Sequence, residues 1–319
     1  MGYDAASDDD SVPPIVVSWQ TRTAKMLSRL TIRQSLRREL SVSDMRDRIA
    51  AMERFFPDLP ADVGVELEPG LANCDAEWLQ PLSGPTERVI LHLPGGAFLT
   101  RFVRAERLLL ARLCRASLAR GRLVFYRLAP EHPFPAGLDD CLDAYRQILE
   151  LGIEPDRVMV SGMSAGGCLA LALLMALRDE GVPLPAGALL MSPAADLSEH
   201  HEPGSREGNA PRDAVLSFEQ GEEIRRLYLG GRTELVTDPR VSPLLGDFRG
   251  LPPLFFQVGS TEILLDDSQR CAEKAREAGV PTEIEVWDRM PHGWQALSFA
   301  PESGRAISRL ADFVRERCP

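Results

Sequence analysis

Histidine and cysteine are both scarce in this chain of 319 residues, which has five of the first and six of the second. The cysteines (Cys74, Cys114, Cys141, Cys168, Cys271 and Cys318) form no C-x-x-C pair. That scatter argues against a zinc site or a disulfide framework and fits reduced thiols in a cytoplasmic protein. Basic charge is short as well: 36 Lys and Arg against 47 Asp and Glu leave a net charge of −11. A phosphate-binding face needs the opposite balance, so nucleic acid is set aside as a partner. No apolar run approaches the roughly 20 residues of a membrane span, which argues against stable membrane insertion. Residues 1–14, MGYDAASDDDSVPP, lack the apolar core of an export signal and read as a solvated, disordered acidic tail.

What the chain does contain, after about residue 60, is a beat of short apolar runs and longer helical patterns. ERVILHLP, RLVFYRL, DRVMVSGM, GALLMSP and PPLFFQVGS read as strands. Several are apolar almost throughout, as strands buried on both faces must be. Between them, residues 104–118, 136–149 and 165–178 carry a helical period. Strand and helix alternating in this way imply a parallel sheet with helices on both faces. VGVELE and AEWLQP alternate polar with apolar and predict an antiparallel edge hairpin; TEIEVWDRM predicts the last strand, and residues 306–317 a closing helix. The expected architecture is α/β, with a mostly parallel eight-stranded sheet.

Two segments break the beat. Residues 15–56 look helical without strands, and residues 199–235 form a polar, helix-capable insert. Such inserts often become a lid. The expected division is therefore a tail (1–14), N-terminal cap helices (15–56), a catalytic core (57–198), a cap insert (199–235) and the rest of the core (236–319). Arg22, Lys25, Arg29, Arg33 and Arg37 recur every three or four residues. We expect a lid helix with a solvated basic face, its Trp19, Met26, Leu27 and Leu30 packed on the protein. The rival is a basic amphipathic helix lying on anionic membrane.

The chemistry concentrates at Gly162-Met163-Ser164-Ala165-Gly166, a G-x-S-x-G between a predicted strand and an apolar helix. Strand, tight turn and helix are the setting of a nucleophile elbow, in which small neighbours let a serine stand at a strained corner. A serine hydroxyl needs a base, and the base needs a carboxylate, in the chain order Ser, acid, His. Of His92, His132, His200, His201 and His292, only His292 lies beyond a further strand, in the turn Met290-Pro291-His292-Gly293-Trp294. Adjacent His200 and His201, between Glu199 and Glu202, lack the spacing of a preformed metal-ligand pair. Asp196, Glu262 and Asp266 each follow a strand end. Glu262 is preferred because it comes first in its loop, while Asp266 and Asp267 are placed to cap the next helix. Asp196 and Asp266 stay open as alternatives. An oxyanion hole would combine the Ala165 amide with donors from the loop Pro94-Gly95-Gly96-Ala97-Phe98.

With those residues in place, the chain resembles the hormone-sensitive-lipase family of the α/β-hydrolase superfamily, in its bacterial (family IV) esterase branch. The most specific stretch is YRLAPEHPFPA at Tyr126–Ala136; GMSAGG, SPAADL, DPRVSPL, PHGW and AEWLQP follow the same pattern. The resemblance implies an α/β-hydrolase fold with a helical cap built from the two segments set apart above. It implies Ser164 as nucleophile, His292 as base and Glu262 as acid. The amides of Gly96, Ala97 and Ala165 would hold the oxyanion, with Gly95 shaping the loop. Arg127 and Glu131 would tie the core together and do no chemistry.

Three positions depart from the family pattern. Its H-G-G-G appears as P-G-G-A, with Pro94 in place of the histidine and Ala97 in place of the third glycine. Proline stiffens a loop by fixing φ, and His92 lies two residues earlier on the same strand face. Methionine stands before the serine where Asp or Thr is usual, and the acid is Glu where Asp is commoner.

The resemblance therefore implies a cofactor-free, metal-free serine carboxylesterase acting on a small-molecule ester of short to medium acyl chain. A lactone or amide hydrolase, a small-metabolite deacetylase and a non-catalytic receptor on the same fold are the alternatives. The exposed last strand offers an edge for a homodimer.

Overall fold

A computed structural model describes residues 17–35, 41–68, 71–82, 87–198, 204–217 and 221–319. Its eight strands are β1 (Val63–Glu68), β2 (Asp75–Pro81), β3 (Arg88–Leu93), β4 (Ala119–Phe125), β5 (Val158–Met163), β6 (Gly187–Met191), β7 (Leu254–Gly259) and β8 (Thr282–Trp287). They form one sheet in the order β1-β2-β4-β3-β5-β6-β7-β8. Only the two pairings of β2 are antiparallel, which makes the edge hairpin. The remaining neighbours run parallel.

The N-terminal helices are α1 (Trp19–Leu30), α2 (Ile32–Ser35) and α3 (Val42–Glu53). The crossovers α4 (Val103–Ser117), α5 (Ala136–Glu150) and α6 (Ala165–Asp179) follow. The insert holds α7 (Ser205–Gly208) and α8 (Gly221–Tyr228), and the chain finishes with α9 (Leu265–Glu277) and α10 (Pro301–Arg317). Along β5, Met159 faces the layer made by α4 and α10, while Val158 and Val160 face that of α5, α6 and α9. Both faces are covered, which is why all six residues of β5 are buried and the sequence shows an unbroken apolar run. The crossover from β3 to β4 goes one way and that from β4 to β5 returns past it. The strand order therefore reverses beside β3 and β5, and ligands bind at the carboxyl ends of strands where this happens.

Some boundaries differ from the sequence reading, each for a tertiary reason. β4 stops at Phe125, so Tyr126 to Leu128 leave the sheet. Arg127 turns instead to Asp140 on α5 at 2.8 Å, and Glu131 pairs with Arg46 of α3 at 2.7 Å. The last helix begins at Pro301, five residues before the expected start, because proline suits the first helical position. Asp266 and Asp267 do not cap α9, whose N-cap is Leu264 without a side-chain bond. They hold the insert instead: Asp266 accepts from the Ser205 amide at 2.6 Å, and Asp267 from the Arg206 guanidinium at 3.1 Å.

α1 lies the opposite way round from the expectation. Lys25 donates to the Arg289 carbonyl at 2.8 Å and Arg29 to that of Arg212 at 2.9 Å, while Arg33 donates to the Asp213 carbonyl. Thr21 and Ala24 are buried, with Thr21 and Ser18 both bonded to Glu302. Trp19 (72% exposed), Met26, Leu27 and Leu30 (66% exposed) face outward. Loop carbonyls that need donors, not apolar area, set the inward face of this helix. Arg37, the acidic tail 1–14, and Glu199 to Glu202 with the two histidines between them lie outside the described residues.

This orientation makes a stability prediction. Leu30→Ser should change the unfolding free energy by less than about 0.5 kcal/mol, as an exposed substitution does. Ile49→Ala on α3, where the side chain is 1% exposed, should cost about 2–4 kcal/mol. Denaturant unfolding of both variants checks the pair; a loss above ~1 kcal/mol at Leu30 contradicts the outward face.

Candidate active site

β5 ends at Met163 and α6 begins at Ala165, so Ser164 alone makes the corner, at φ 57° and ψ −118°. A non-glycine residue there costs about 1–3 kcal/mol and persists only where its surroundings enforce it. The enforcement is backbone against backbone. A Cβ on Gly162 would lie 2.2 Å from the Gly166 carbonyl oxygen, and one on Gly166 would lie 1.9 Å from that of Leu93. The Ser164 amide donates to the Met191 carbonyl at 2.9 Å, and its own carbonyl accepts from Ala194 at 3.1 Å. Among the described residues its hydroxyl has no protein hydrogen-bond partner. It opens into a cavity of about 260 Å³.

Glu262 follows β7 and is fully buried. Its Oε2 meets His292 Nδ1 at 2.6 Å. Its Oε1 accepts from the Gly259 amide at 2.6 Å and from Ser192 Oγ at 2.9 Å. The carboxylate is thus held from three sides, and it fixes the ring so that Nε2 is left for other work. The turn carrying His292 rests on the elbow, since a Cβ on Gly293 would lie 3.6 Å from Met163 Sδ. Ser164 and His292 make no direct hydrogen bond here; such bonds are often long until substrate tightens a site. Burial pushes the His292 imidazole down, but the charge and hydrogen bond of Glu262, aided by Asp213 and Glu106, outweigh it and leave the ring above its ordinary value.

The other carboxylates go elsewhere. Asp196 bonds Ser198 and lies 3.5 Å from Arg270, and Asp266 bonds the insert. Of the acids weighed from sequence, Glu262 is the one brought to His292.

The loop after β3 faces the elbow. Gly96 has φ 128°, and a Cβ there would lie 2.1 Å from the Thr100 carbonyl oxygen. Ala97 and Phe98 follow at φ 53° and 62°, both left-handed. The alanine therefore adopts a region that glycine would enter freely, at roughly 1–2 kcal/mol. Among the described residues no protein acceptor meets the amides of Gly96 and Ala97. Phe98 stacks on Tyr228 of α8 with ring centroids 3.9 Å apart.

Ala97, Ala165, Leu197, Leu216, Ile224, Ile263 and Leu264 give the cavity mostly apolar walls, and Asp196, Arg206, Glu222 and Arg225 also border it. Residues not picked out from sequence support it. Ser192 holds Glu262, and Asp213 accepts from the Ile263 amide at 3.0 Å and the Leu216 amide at 2.9 Å. Asp213 sits in the polar insert, where no local pattern separates it from a solvated acid.

Residues 90–296 match the family described as alpha/beta hydrolase fold. The chain belongs to that family, on its hormone-sensitive-lipase-like esterase branch. It is 40% identical over 249 residues to an acetyl-hydrolase of Streptomyces hygroscopicus, covering 77% of this chain and 81% of the relative. It is 36% identical over 298 residues to an esterase of Acinetobacter venetianus, covering 93% and 96% of the two chains. A crystal structure of an esterase from the bacterial hormone-sensitive lipase family superposes with a TM-score of 0.88 at 36% identity, over 96% of this chain and 100% of that one. EstE5, solved after soaking with p-nitrophenyl butyrate, gives 0.85 at 35% identity over 94% and 99%. This carboxylic ester hydrolase thus matches those structures over nearly its whole length. No helix of its described residues is long and apolar enough to cross a membrane.

The carboxylate beside His292 makes a titration prediction. In proton NMR the imidazole should titrate above the usual value of about 6.5. Glu262→Gln should lower it, because the charge favouring the imidazolium is gone while burial remains. An unshifted or raised value in the variant contradicts the pairing.

Proposed function

We propose that the chain is a serine carboxylesterase for short- to medium-chain acyl esters, working through Ser164, His292 and Glu262. The observation that carries this reading is the buried 2.6 Å contact of Glu262 with His292 Nδ1, in a turn that packs on Met163 next to the serine of the strained elbow. In this account His292 Nε2 takes the Ser164 proton as Oγ attacks the ester carbonyl. The amides of Gly96, Ala97 and Ala165 receive the oxyanion, with Gly95 shaping their loop. The tetrahedral intermediate collapses, and the alcohol leaves with the proton from His292. Water then attacks the acyl-enzyme by the same route, releasing the acid and restoring Ser164. Glu262 orients the ring and stabilises the imidazolium.

The cavity supports a compact acyl group. At about 260 Å³ it lies below the roughly 300–1,000 Å³ of pockets for drug-sized ligands, and its walls are mainly aliphatic. The Streptomyces relative named an acetyl-hydrolase supports the short end of the range. A small-metabolite deacetylase would use the same residues. We further propose that the N-terminal helices and the insert act together as the cap. Six free cysteines, five of them buried, support a reducing, cytoplasmic setting.

Hydrolysis of p-nitrophenyl esters from C2 to C12 tests the reading. Turnover should be highest on the short esters and fall by C12. Ser164→Ala and His292→Ala, still folded, should each lose on the order of 10⁶ in kcat. Inert wild type on every chain length, or a Ser164→Ala variant that retains activity, overturns it.

A further inference from the structure

The peptide plane that begins the loop after β3 is held at both ends by buried side chains. Tyr126 Oη donates to the Pro94 carbonyl at 2.9 Å. The Gly95 amide donates to Glu106 Oε1 at 2.7 Å. Glu106 is seated in turn: its Oε2 lies 2.8 Å from His92 Nε2, and His92 Nδ1 lies 3.1 Å from Ser161 Oγ. His92, Glu106 and Ser161 are wholly buried, and Tyr126 nearly so. Among the described residues no arginine or lysine pairs with Glu106, whose second oxygen meets the His92 imidazole instead. An acid kept so deep in a core, where apolar packing would serve stability as well, calls for a reason.

The loop supplies one. A peptide unit is rigid, so fixing its carbonyl and its amide fixes the whole plane. Two glycines follow, which of themselves prefer no single conformation. Two left-handed non-glycine residues, Ala97 and Phe98, come next. Such a segment keeps one geometry only if something outside it does the holding. The histidine that opens this loop in the resembled family is Pro94 here, and proline has no amide of its own to donate. The fit is close: a Cβ on Gly95 would lie 3.1 Å from the Met163 carbonyl oxygen, 3.3 Å from Glu106 Oε1 and 3.5 Å from Ser164 Cβ.

We propose that Glu106, seated by His92 and Ser161 and opposed by Tyr126, is a positioning residue for ester hydrolysis: it fixes the Pro94–Gly95 plane and so aims the Gly96 and Ala97 amides at the oxyanion. The proposal rests on the serine esterase reading above. Its signature is selective for the transition state, because ground-state substrate makes little use of those amides. A merely structural carboxylate would lower stability on removal without that selectivity.

The test compares Glu106→Ala, Glu106→Gln and Tyr126→Phe with wild type on p-nitrophenyl butyrate, and measures inhibition by an alkyl trifluoromethyl ketone. Ser164 Oγ adds reversibly to the ketone carbon while its proton passes to His292, leaving a tetrahedral oxyanion in the site. Glu106→Ala should lower kcat by about 10²-fold and weaken the ketone by a similar factor, with KM within about threefold. Glu106→Gln keeps an oxygen acceptor for Gly95 and should restore kcat to within about tenfold of wild type. Tyr126→Phe, which removes one hydroxyl from the other end of the plane, should cost about tenfold in kcat and in ketone affinity alike. A folded Glu106→Ala with near wild-type kcat, or with lower kcat but unchanged ketone affinity, overturns the proposal. Should that variant not fold, Tyr126→Phe decides: unchanged kcat and ketone affinity overturn the clamp. Wild type inert on esters would sink the esterase reading instead, so the two failures are told apart.

Discussion

Residue 166 carries no Cβ because the Leu93 carbonyl occupies its place, 1.9 Å from where the atom would stand. The end of β3 and the first turn of α6 therefore touch backbone to backbone. Gly162 makes the matching contact within the elbow, 2.2 Å from the Gly166 carbonyl by the same measure. These approaches force the chain to turn from strand to helix in one residue, and they bring the loop after β3 beside that residue. Any side chain at either glycine would push the strand and the helix apart. The hydroxyl of Ser164, the free amides of the neighbouring loop and the first turn of α6 meet because of that contact.

Around it the structure spends conformational strain and recovers it in polar contacts. Ser164, Ala97, Phe98 and Ser192 all have positive φ without being glycine. Each costs on the order of 1–3 kcal/mol, in a molecule whose net stability is expected to be only about 5–15 kcal/mol. Three of them are gripped by identified partners: Met191 and Ala194 at Ser164, Glu262 at Ser192, and the Tyr228 ring at Phe98. Strain of this sort belongs where function demands one geometry. The insert takes part through Asp213, which bonds both the segment beside Glu262 and the cavity wall at Leu216.

Much of this was legible in the sequence. The central strands announced themselves as unbroken apolar runs because helices cover both faces of the sheet, and the elbow because close backbone approach admits only small residues. Chain order alone singles out His292 as the candidate base. For the acid, position in the loop favours Glu262 over Asp196 and Asp266, and the packed structure shows that Glu262 is the one facing His292. The orientation of α1 was read backwards, since a helical period reports two faces but not which of them meets loop carbonyls in need of donors. Glu106 passed unnoticed as an ordinary acid in a first helical turn. The signal that could have found it is its register with Leu109, Leu110 and Leu113, which places it on the buried stripe of α4.

The central claim is that one serine hydroxyl, alone among the many in the chain, is made nucleophilic by this geometry. An alkyl fluorophosphonate reports on it directly, because attack by an activated Oγ expels fluoride and leaves a stable phosphonyl ester. Intact-mass and peptide mass spectrometry of the treated protein should show a single adduct, on the peptide containing Ser164. Labelling of another residue, or an unmodified protein after prolonged exposure, would contradict the account.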